Sequence, residues 1–171
     1  NPGNRPDKAK ATLQQGIDLA TANNDDVIVL LPGHAETVTS TNVAINKAGV
    51  RIIGMGKGLK RPTFTYGAAA ATMTVSAANC SLENTHHIGN FLDVAAAITI
   101  GAAKDFRLEN NTFVDNTASL GFLSIVVTGA TDNDADNLTI IGNSWYGLDV
   151  SSNAFISILA AELHLKVTDN Y

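Results

Sequence analysis

Cysteine is almost missing: Cys80 is the only one in 171 residues. That excludes an internal disulfide and the stapled scaffolds of small secreted chains. Charge is scarce too. Asp, Glu, Lys and Arg make up 16% of the chain against 45% apolar residues, low for a cytosolic enzyme and usual for a strand-rich structural coil. No apolar run approaches the length of a membrane-crossing helix, and no leader pattern opens the chain. The chain starts at Asn1 instead of Met, so a removed or unrecorded upstream segment is expected. No concentrated basic patch is present either. Residues 1–61 hold eight Lys/Arg against five Asp/Glu, and residues 62–171 three against eleven. The modest excess in the Lys57–Arg61 loop reads as a solvated turn, so no nucleic-acid partner and no membrane partner is expected.

What is present in abundance is repetition. Five segments share one pattern: Val43–Gly54, Met73–Asn84, Ile98–Asn110, Ile125–Gly142 and Ile156–Val167. Each has an apolar-x-apolar triplet, a small or polar linker, and a second such triplet. The residues Ile45, Val75, Ile100, Val127 and Ile158 recur at spacings of 30, 25, 27 and 31. Self-similarity in this range marks a solenoid.

Alternation with period two puts the first and third residue of each triplet on one strand face. The first strands then point Val43/Ile45, Met73/Val75, Ile98/Ile100, Ile125/Val127 and Ile156/Ile158 inward. The second strands point Val50/Ile52, Cys80/Leu82, Phe106/Leu108, Leu138/Ile140 and Leu163/Leu165 inward. No charge occupies these positions. Triplets are too short to be helices that bury a face, whereas stacked short strands share one continuous core. Gly54, Asn84, Asn110 and Gly142 follow the second triplet in four segments, and a sharp bend there calls for positive φ. Val167 breaks that column in the fifth.

A third segment follows each bend: His86–Asn90, Thr112–Asn116 and Ser144–Leu148. Phe113 and Trp145 align with His87, which predicts an aromatic stack with His87 in an aromatic slot. At the front, residues 7–22 read as an amphipathic helix with Asp7 as N-cap, carrying Ala11, Leu13, Ile17, Leu19 and Ala20 on its apolar face. Residues 25–33 read as a buried strand stopped by Pro32-Gly33. The reading is a right-handed single-stranded parallel β-helix of about five coils with an N-terminal α-helical cap. The arm and capping helix occupy residues 1–24 and the β-helix residues 25–171. Residues 163–171 open a coil without supplying its third strand, so the chain is expected to continue or to be covered by neighbouring subunits.

The helix, then DVIVLLPGHAETV, then INKAGVRIIGMGKG, then coils ending in Glu-Asn or Ile-Gly resembles the parallel β-helix proteins of the pectin-lyase-like superfamily. The resemblance covers nearly the whole chain, and the loop 54–66 is most similar to phage-encoded β-helix virion proteins. That superfamily includes polysaccharide lyases, glycoside hydrolases, tailspikes and adhesins. The resemblance therefore implies a virion surface or extracellular setting, assembly as a homotrimer with other virion proteins, and glycan as a further partner.

Candidate chemistry is thin. Glycoside hydrolysis needs two carboxyls flanking a bond. On the outward faces of the coils only Glu83 and Glu109 stack as a pair, and Arg107 stands close enough to neutralise Glu109. A surface salt-bridge ladder fits better than catalysis, so no catalytic residue is assigned. Asp132, Asp134 and Asp136 alternate in TDNDADN, where carboxylates could converge on calcium, the one cofactor considered. The EF-hand pattern fails there, since Asn137 replaces the required Gly and Asn143 the Glu. His86 and His87 face opposite ways on a strand and make a poor metal pair. The GMGKG run at 54–58 lacks the spacing and context of a phosphate loop. Cys80 falls in a core column and reads as an inert thiol. The expectation is a structural or interaction protein of a virus particle, as capsid decoration or tail or fibre component, with glycan adhesion as an added role. The alternatives are a carbohydrate-active enzyme and a secreted bacterial adhesin.

Overall fold

The computed structural model describes residues 6–171. A 3-10 turn, Pro6–Lys8, precedes helix α1, Leu13–Leu19. Five coils follow, each contributing one strand to each of three sheets. They are β1 (Val27–Leu30), β2 (Ala35–Val38) and β3 (Val43–Ile45); β4 (Arg51–Gly54), β5 (Thr63–Tyr66) and β6 (Met73–Val75); β7 (Ser81–Glu83), β8 (His86–Gly89) and β9 (Ile98–Ile100); β10 (Arg107–Glu109), β11 (Thr112–Asp115) and β12 (Ser124–Thr128); and β13 (Thr139–Ile141), β14 (Ser144–Tyr146) and β15 (Ala154–Ser157). Strand β16 (Lys166–Thr168) begins another turn of the coil. Sheet A runs β1-β4-β7-β10-β13-β16, sheet B β2-β5-β8-β11-β14, and sheet C β3-β6-β9-β12-β15. Every strand pairing is parallel. The expected all-β parallel coil is therefore present, and α1 closes its first coil.

Helix α1 is shorter than expected. Its N-cap is Thr12, whose hydroxyl accepts from Gln15 N, and not Asp7. Thr12 with Gln15 three residues on has the spacing of a capping box, which outcompetes the earlier acid. Leu13 and Ile17, one turn apart, are buried on the coil, while Leu19 is half exposed. The helix is fastened by polar contacts as well. Glu36 Oε2 accepts from Leu13 N at 2.8 Å, and Gln14 Oε1 accepts from Ala44 N at 2.7 Å. Strand β1 is not wholly buried as the apolar run suggested: only Leu30 is buried, and Val27 and Val29 face solvent. As the end strand of sheet A it has an inner face on the core and an outer face in water.

The inward columns largely follow the expected alternation. Ile52, Leu82, Leu108 and Ile140 stack in register in sheet A, all fully buried. Two coils slip. In the fourth, Val126 pairs with Ile98 and Thr128 with Ile100, so the register column holds Val126 and Thr128 instead of Ile125/Val127, although Ile125 is fully buried in the core as expected. Thr128 tolerates burial because its hydroxyl donates to Gly129 O and accepts from Leu159 N. In the last strand, Val167 pairs with Ile140, shifting the expected Leu163/Leu165 to Leu165/Val167. Lys166 accordingly stands opposite Thr139 on the outward face.

The bend column also resolves. Asn84, Asn110 and Gly142 have φ of 56°, 55° and 67°, and Asp169, two residues after Val167, completes the column at 55°. Gly54 is the exception. It lacks positive φ, but a Cβ there would lie 2.3 Å from the Asn84 carbonyl oxygen. Glycine is required by that close approach, and the bend passes to the following loop, where Gly56 has φ 101°. Part of the segment 54–66 expected as loop is strand β5, which carries Phe64 and Tyr66 into the core.

Those two residues extend the aromatic stack. Phe64, His87, Phe113 and Trp145 pair in register across sheet B. His87 lies between Phe64 and Phe113 with ring centroids 5.6 and 4.6 Å away, both stacked. The slot is therefore aromatic as expected, and His87 is fully buried in it.

Candidate functional site: the outer face of sheet A

Outward side chains of sheet A form columns with one residue per coil. The first is Val27, Arg51, Ser81, Arg107, Thr139 and Lys166; the second is Val29, Ile53, Glu83, Glu109, Ile141 and Thr168. Neighbouring strands lie ~4.8 Å apart, so charges on adjacent coils of one column are close neighbours. Beside these columns runs another of left-handed residues preceding each strand: Asp25, Gly49, Asn79, Asp105, Asn137 and His164, with φ between 52° and 79°. This corner ladder is not among the features read from the sequence, although Gly, Asn or Asp stands immediately before the second triplet in four segments.

Together the columns border a shallow groove of about 510 Å³. Glu83 and Glu109 sit on adjacent strands, as expected. Glu109 is ion-paired with Arg107 from the same strand, while Glu83 has no ion-pair partner among the described residues. Cys80 lines the groove but is almost fully buried. Burial pushes the thiol up, and Sγ donates to Lys47 O and Ala78 O. It behaves as the core residue expected.

The acidic loop is drawn apart by different tasks. Asp132 Oδ1 accepts from Ala161 N at 3.0 Å, and Asp136 Oδ1 from Leu163 N at 2.8 Å. Asp136 Oδ2 also meets Lys104 Nζ at 3.0 Å. Its carboxyl is held below the ordinary range by the Leu163 N–H first, then by Lys104. Asp134 approaches Gly129 instead. Among the described residues no three His, Cys, Asp or Glu side chains form a metal-holding group, so Asp132, Asp134 and Asp136 are not brought together. Asp132 and Asp136 tie the fourth coil to the backbone of the next.

Of the histidines, His34 meets Glu36 at 3.2 Å beneath the helix N-terminus. His86 and His87 point to opposite sides of β8, as read. Burial, and secondarily Arg61, lower the pKa of His86. His87 is lowered to about 3, first by burial and then by His86 and Arg61. Its ring is held at both nitrogens. Thr85 donates its hydroxyl proton to Asn111 Oδ1 at 2.7 Å and accepts from His87 Nε2 at 2.8 Å; the Tyr66 hydroxyl then donates to Nδ1 at 3.1 Å.

This chain of bonds continues along the core. Asn111 Nδ2 donates to Asn143 Oδ1 at 3.1 Å, and Asn143 Nδ2 to Asn170 Oδ1 at 3.0 Å. Each amide also covers backbone carbonyls, Leu82 O for Asn111 and Leu108 O for Asn143. In the sequence these asparagines are hidden behind the bend residue that precedes each of them. The pairs Asn84-Thr85, Asn110-Asn111, Gly142-Asn143 and Asp169-Asn170 are the signal that could have found them. Two other structural polar groups were missed. Arg61 reaches over two coils to Thr85 O, Asn110 O and the Thr112 hydroxyl. Buried Asp115 accepts from the backbone N–H of Phe122, Leu148 and Asp149 and so fixes the loops joining sheets B and C.

No protein-family model, curated protein or solved structure matches this chain. The parallel β-solenoid stands on the strand pairings themselves.

Proposed function

We propose that this protein is a structural and interaction element of a virus particle, a rigid solenoid that works through its outer surface rather than through catalysis. The observation that carries the interaction reading is the outer face of sheet A. Its groove offers regularly spaced charged, hydroxyl and amide groups. Its one stacked carboxylate pair is divided: Glu109 is committed to Arg107, which leaves Glu83 as a single carboxylate where acid–base cleavage of a glycosidic bond needs two. Below that face the fold is stiffened by side-chain ladders that join successive coils, as satisfied buried networks do. The viral setting, a bacteriophage capsid decoration or tail or fibre component, rests on the sequence resemblance alone.

The test has two readouts on the intact chain. Antibody raised to it should label particles purified from the source of the sequence. Incubation with neutral and acidic polysaccharides should produce no new reducing ends and no unsaturated uronate. Cleavage that disappears in Glu83→Gln would replace this reading with the carbohydrate-active enzyme. Retention of uncleaved polysaccharide would add glycan adhesion to the role of the same face.

A further inference from the structure

One part of the sheet A face is apolar instead of polar. On the first two coils its outward residues are Val27 and Val29 from β1, Ile53 from β4, and Leu31 and Met55 just beyond those strands, with Arg51 the one charge among them. Val27 and Val29 are each 50% exposed, Leu31 46% and Met55 48%. Leu59 stands beside them fully exposed at 103%. Its loop is held in shape, since Asn84 Nδ2 donates to Gly54 O and Gly56 O and Gly33 N donates to Lys60 O. A contiguous exposed apolar strip on a side wall, with a fixed leucine at its tip, is the mark of an interaction surface.

The charges around the strip identify its occupant. Exposed Asp25 lies at the end where β1 starts; Lys57 and Lys60 lie at the other, beside Leu59. None of the three has an ion-pair partner among the described residues. A two-fold rotation about an axis parallel to the solenoid reverses strand direction and keeps each coil level with its counterpart. Placed between the two outward columns of sheet A, it sets Val27 over Val29, and Asp25 beside the Lys57–Lys60 loop of the other copy. On the fourth coil the same rotation sets Arg107 over Glu109. Val27 meets Val29, Asp25 faces the lysine loop and Arg107 lies over Glu109, while Arg51 lies over Ile53, one level from Glu83 of the other copy; this is the self-complementarity a two-fold contact requires.

We infer that the outer face of sheet A, led by this strip, is where a second copy of the chain docks, side by side and in the same axial direction. The inference rests on the interaction reading above and names the partner of that same face. It differs from the three-fold assembly implied by the resemblance.

The test is sedimentation equilibrium of the intact chain over a range of concentrations, with circular dichroism as the folding control. The wild type should form a dimer. Val29→Glu, on a half-exposed end strand, should stay folded and weaken the dimer at least tenfold, about 1.4 kcal/mol. The pair Lys57→Glu with Lys60→Glu should weaken it similarly. Zero-length carbodiimide crosslinking should join Asp25 of one chain to Lys57 or Lys60 of another in the dimer fraction. A monomer at every concentration, a trimer, or a dimer untouched by Val29→Glu and lacking that crosslink would overturn the inference. Particle labelling that persists with a monomeric chain would sink this inference and spare the virion reading; loss of labelling with a crosslinked dimer would do the reverse.

Discussion

The coil turns between sheets A and B and between sheets C and A use the same backbone device and fasten it differently. Both place a left-handed residue at each level. At the A–B corner that residue is followed in three successive coils by Thr85, Asn111 and Asn143, all buried. Their side chains bond the next coil, and in coils three to five the connection is only two residues long. At the C–A corner the left-handed residues Asn79, Asp105 and Asn137 are exposed, and the connections run from five to ten residues. One corner sets the register of the coil. The other absorbs insertions and borders the surface available for binding. Rigidity and variability are thus separated within coils three to five.

The largest effect expected at the A–B corner comes from acid. His87 has a folded pKa of about 3 against an ordinary 6.5. Between those values the unfolded chain binds a proton that the folded chain does not, so stability is full above pH 6.5 and falls as pH drops towards 3. At about 1.4 kcal/mol per unit the limiting loss is roughly 4–5 kcal/mol. Protonating Nδ1 would also force the Tyr66 hydroxyl, now its donor, to turn away. Urea midpoints measured from pH 7 to 4 should drop steeply in the wild type and less in His87→Phe. Equal slopes in the two proteins would show that His87 does not carry the acid response.

Next in size is Asn111→Ala. It removes the acceptor of Thr85 N and Thr85 Oγ1 and the donor to Leu82 O and Asn143 Oδ1, all inside the coil. Leaving several buried groups unpaired should cost about 3–4 kcal/mol. Asn79→Ala at the other corner should cost only about 1 kcal/mol, the strain of a left-handed alanine. Thermal melts of the two variants side by side check the contrast, and equal losses would erase the distinction between corners.

A milder probe of the A–B corner is Gly142→Ala. Gly142 has φ 67°, and a Cβ there would meet Asn110 Oδ1 at 2.6 Å. Asn110 is exposed and its side chain can swing aside, so the remaining cost is the left-handed strain, about 1–2 kcal/mol. Gly142→Asn should recover most of it, because asparagine tolerates this conformation. A loss as large as that of Asn111→Ala would mean the bend itself, and not the buried amide, sets the register.

The same division explains what the sequence disclosed. The coil was legible because Ile52, Leu82, Leu108 and Ile140 repeat with strict alternation, and the short A–B bend keeps Asn84, Asn110 and Gly142 at a fixed offset. Register failed where alternation is ambiguous. Ile125, Val126 and Val127 are three β-branched residues in a row, and only Ile125/Val127 form an apolar pair, whereas the true parity pairs Val126 with Thr128, a polar residue satisfied by tertiary bonds. Leu163, Leu165 and Val167 offer two overlapping triplets, and the true one is marked by Asp169, which was not considered as a bend residue. For the candidate site, the Glu83–Glu109 pair followed from register alone. The apolar strip did not, because Val27 and Val29 look like core residues until the end position of β1 places them in water. The acidic loop suggests convergence by its alternation, but its backbone is not an extended strand, and Asp132 and Asp136 accept from different backbone N–H groups, of Ala161 and Leu163.

The smallest effect is expected at the C–A corner, from Asn137→Gly. Asn137 has φ 61° and is exposed, so glycine can take the conformation without steric cost. The side chain gives up one exposed bond, Nδ2 to Asp105 Oδ1 at 3.0 Å, which water replaces. The backbone bond from Asn137 N to Leu163 O at 2.8 Å remains, and it is the link that joins the coils here. Glycine adds freedom to the unfolded chain, a cost of a few tenths of a kcal/mol, partly offset by relief of left-handed strain. The two terms nearly cancel, and the melt should move by less than about 0.5 kcal/mol. Asn143→Gly at the opposite corner keeps the backbone equally free but deletes the amide that bridges Leu108 O and Asn170 Oδ1, so it should behave like Asn111→Ala. If both glycine variants were equally tolerated, the buried amides would not be what holds successive coils in register.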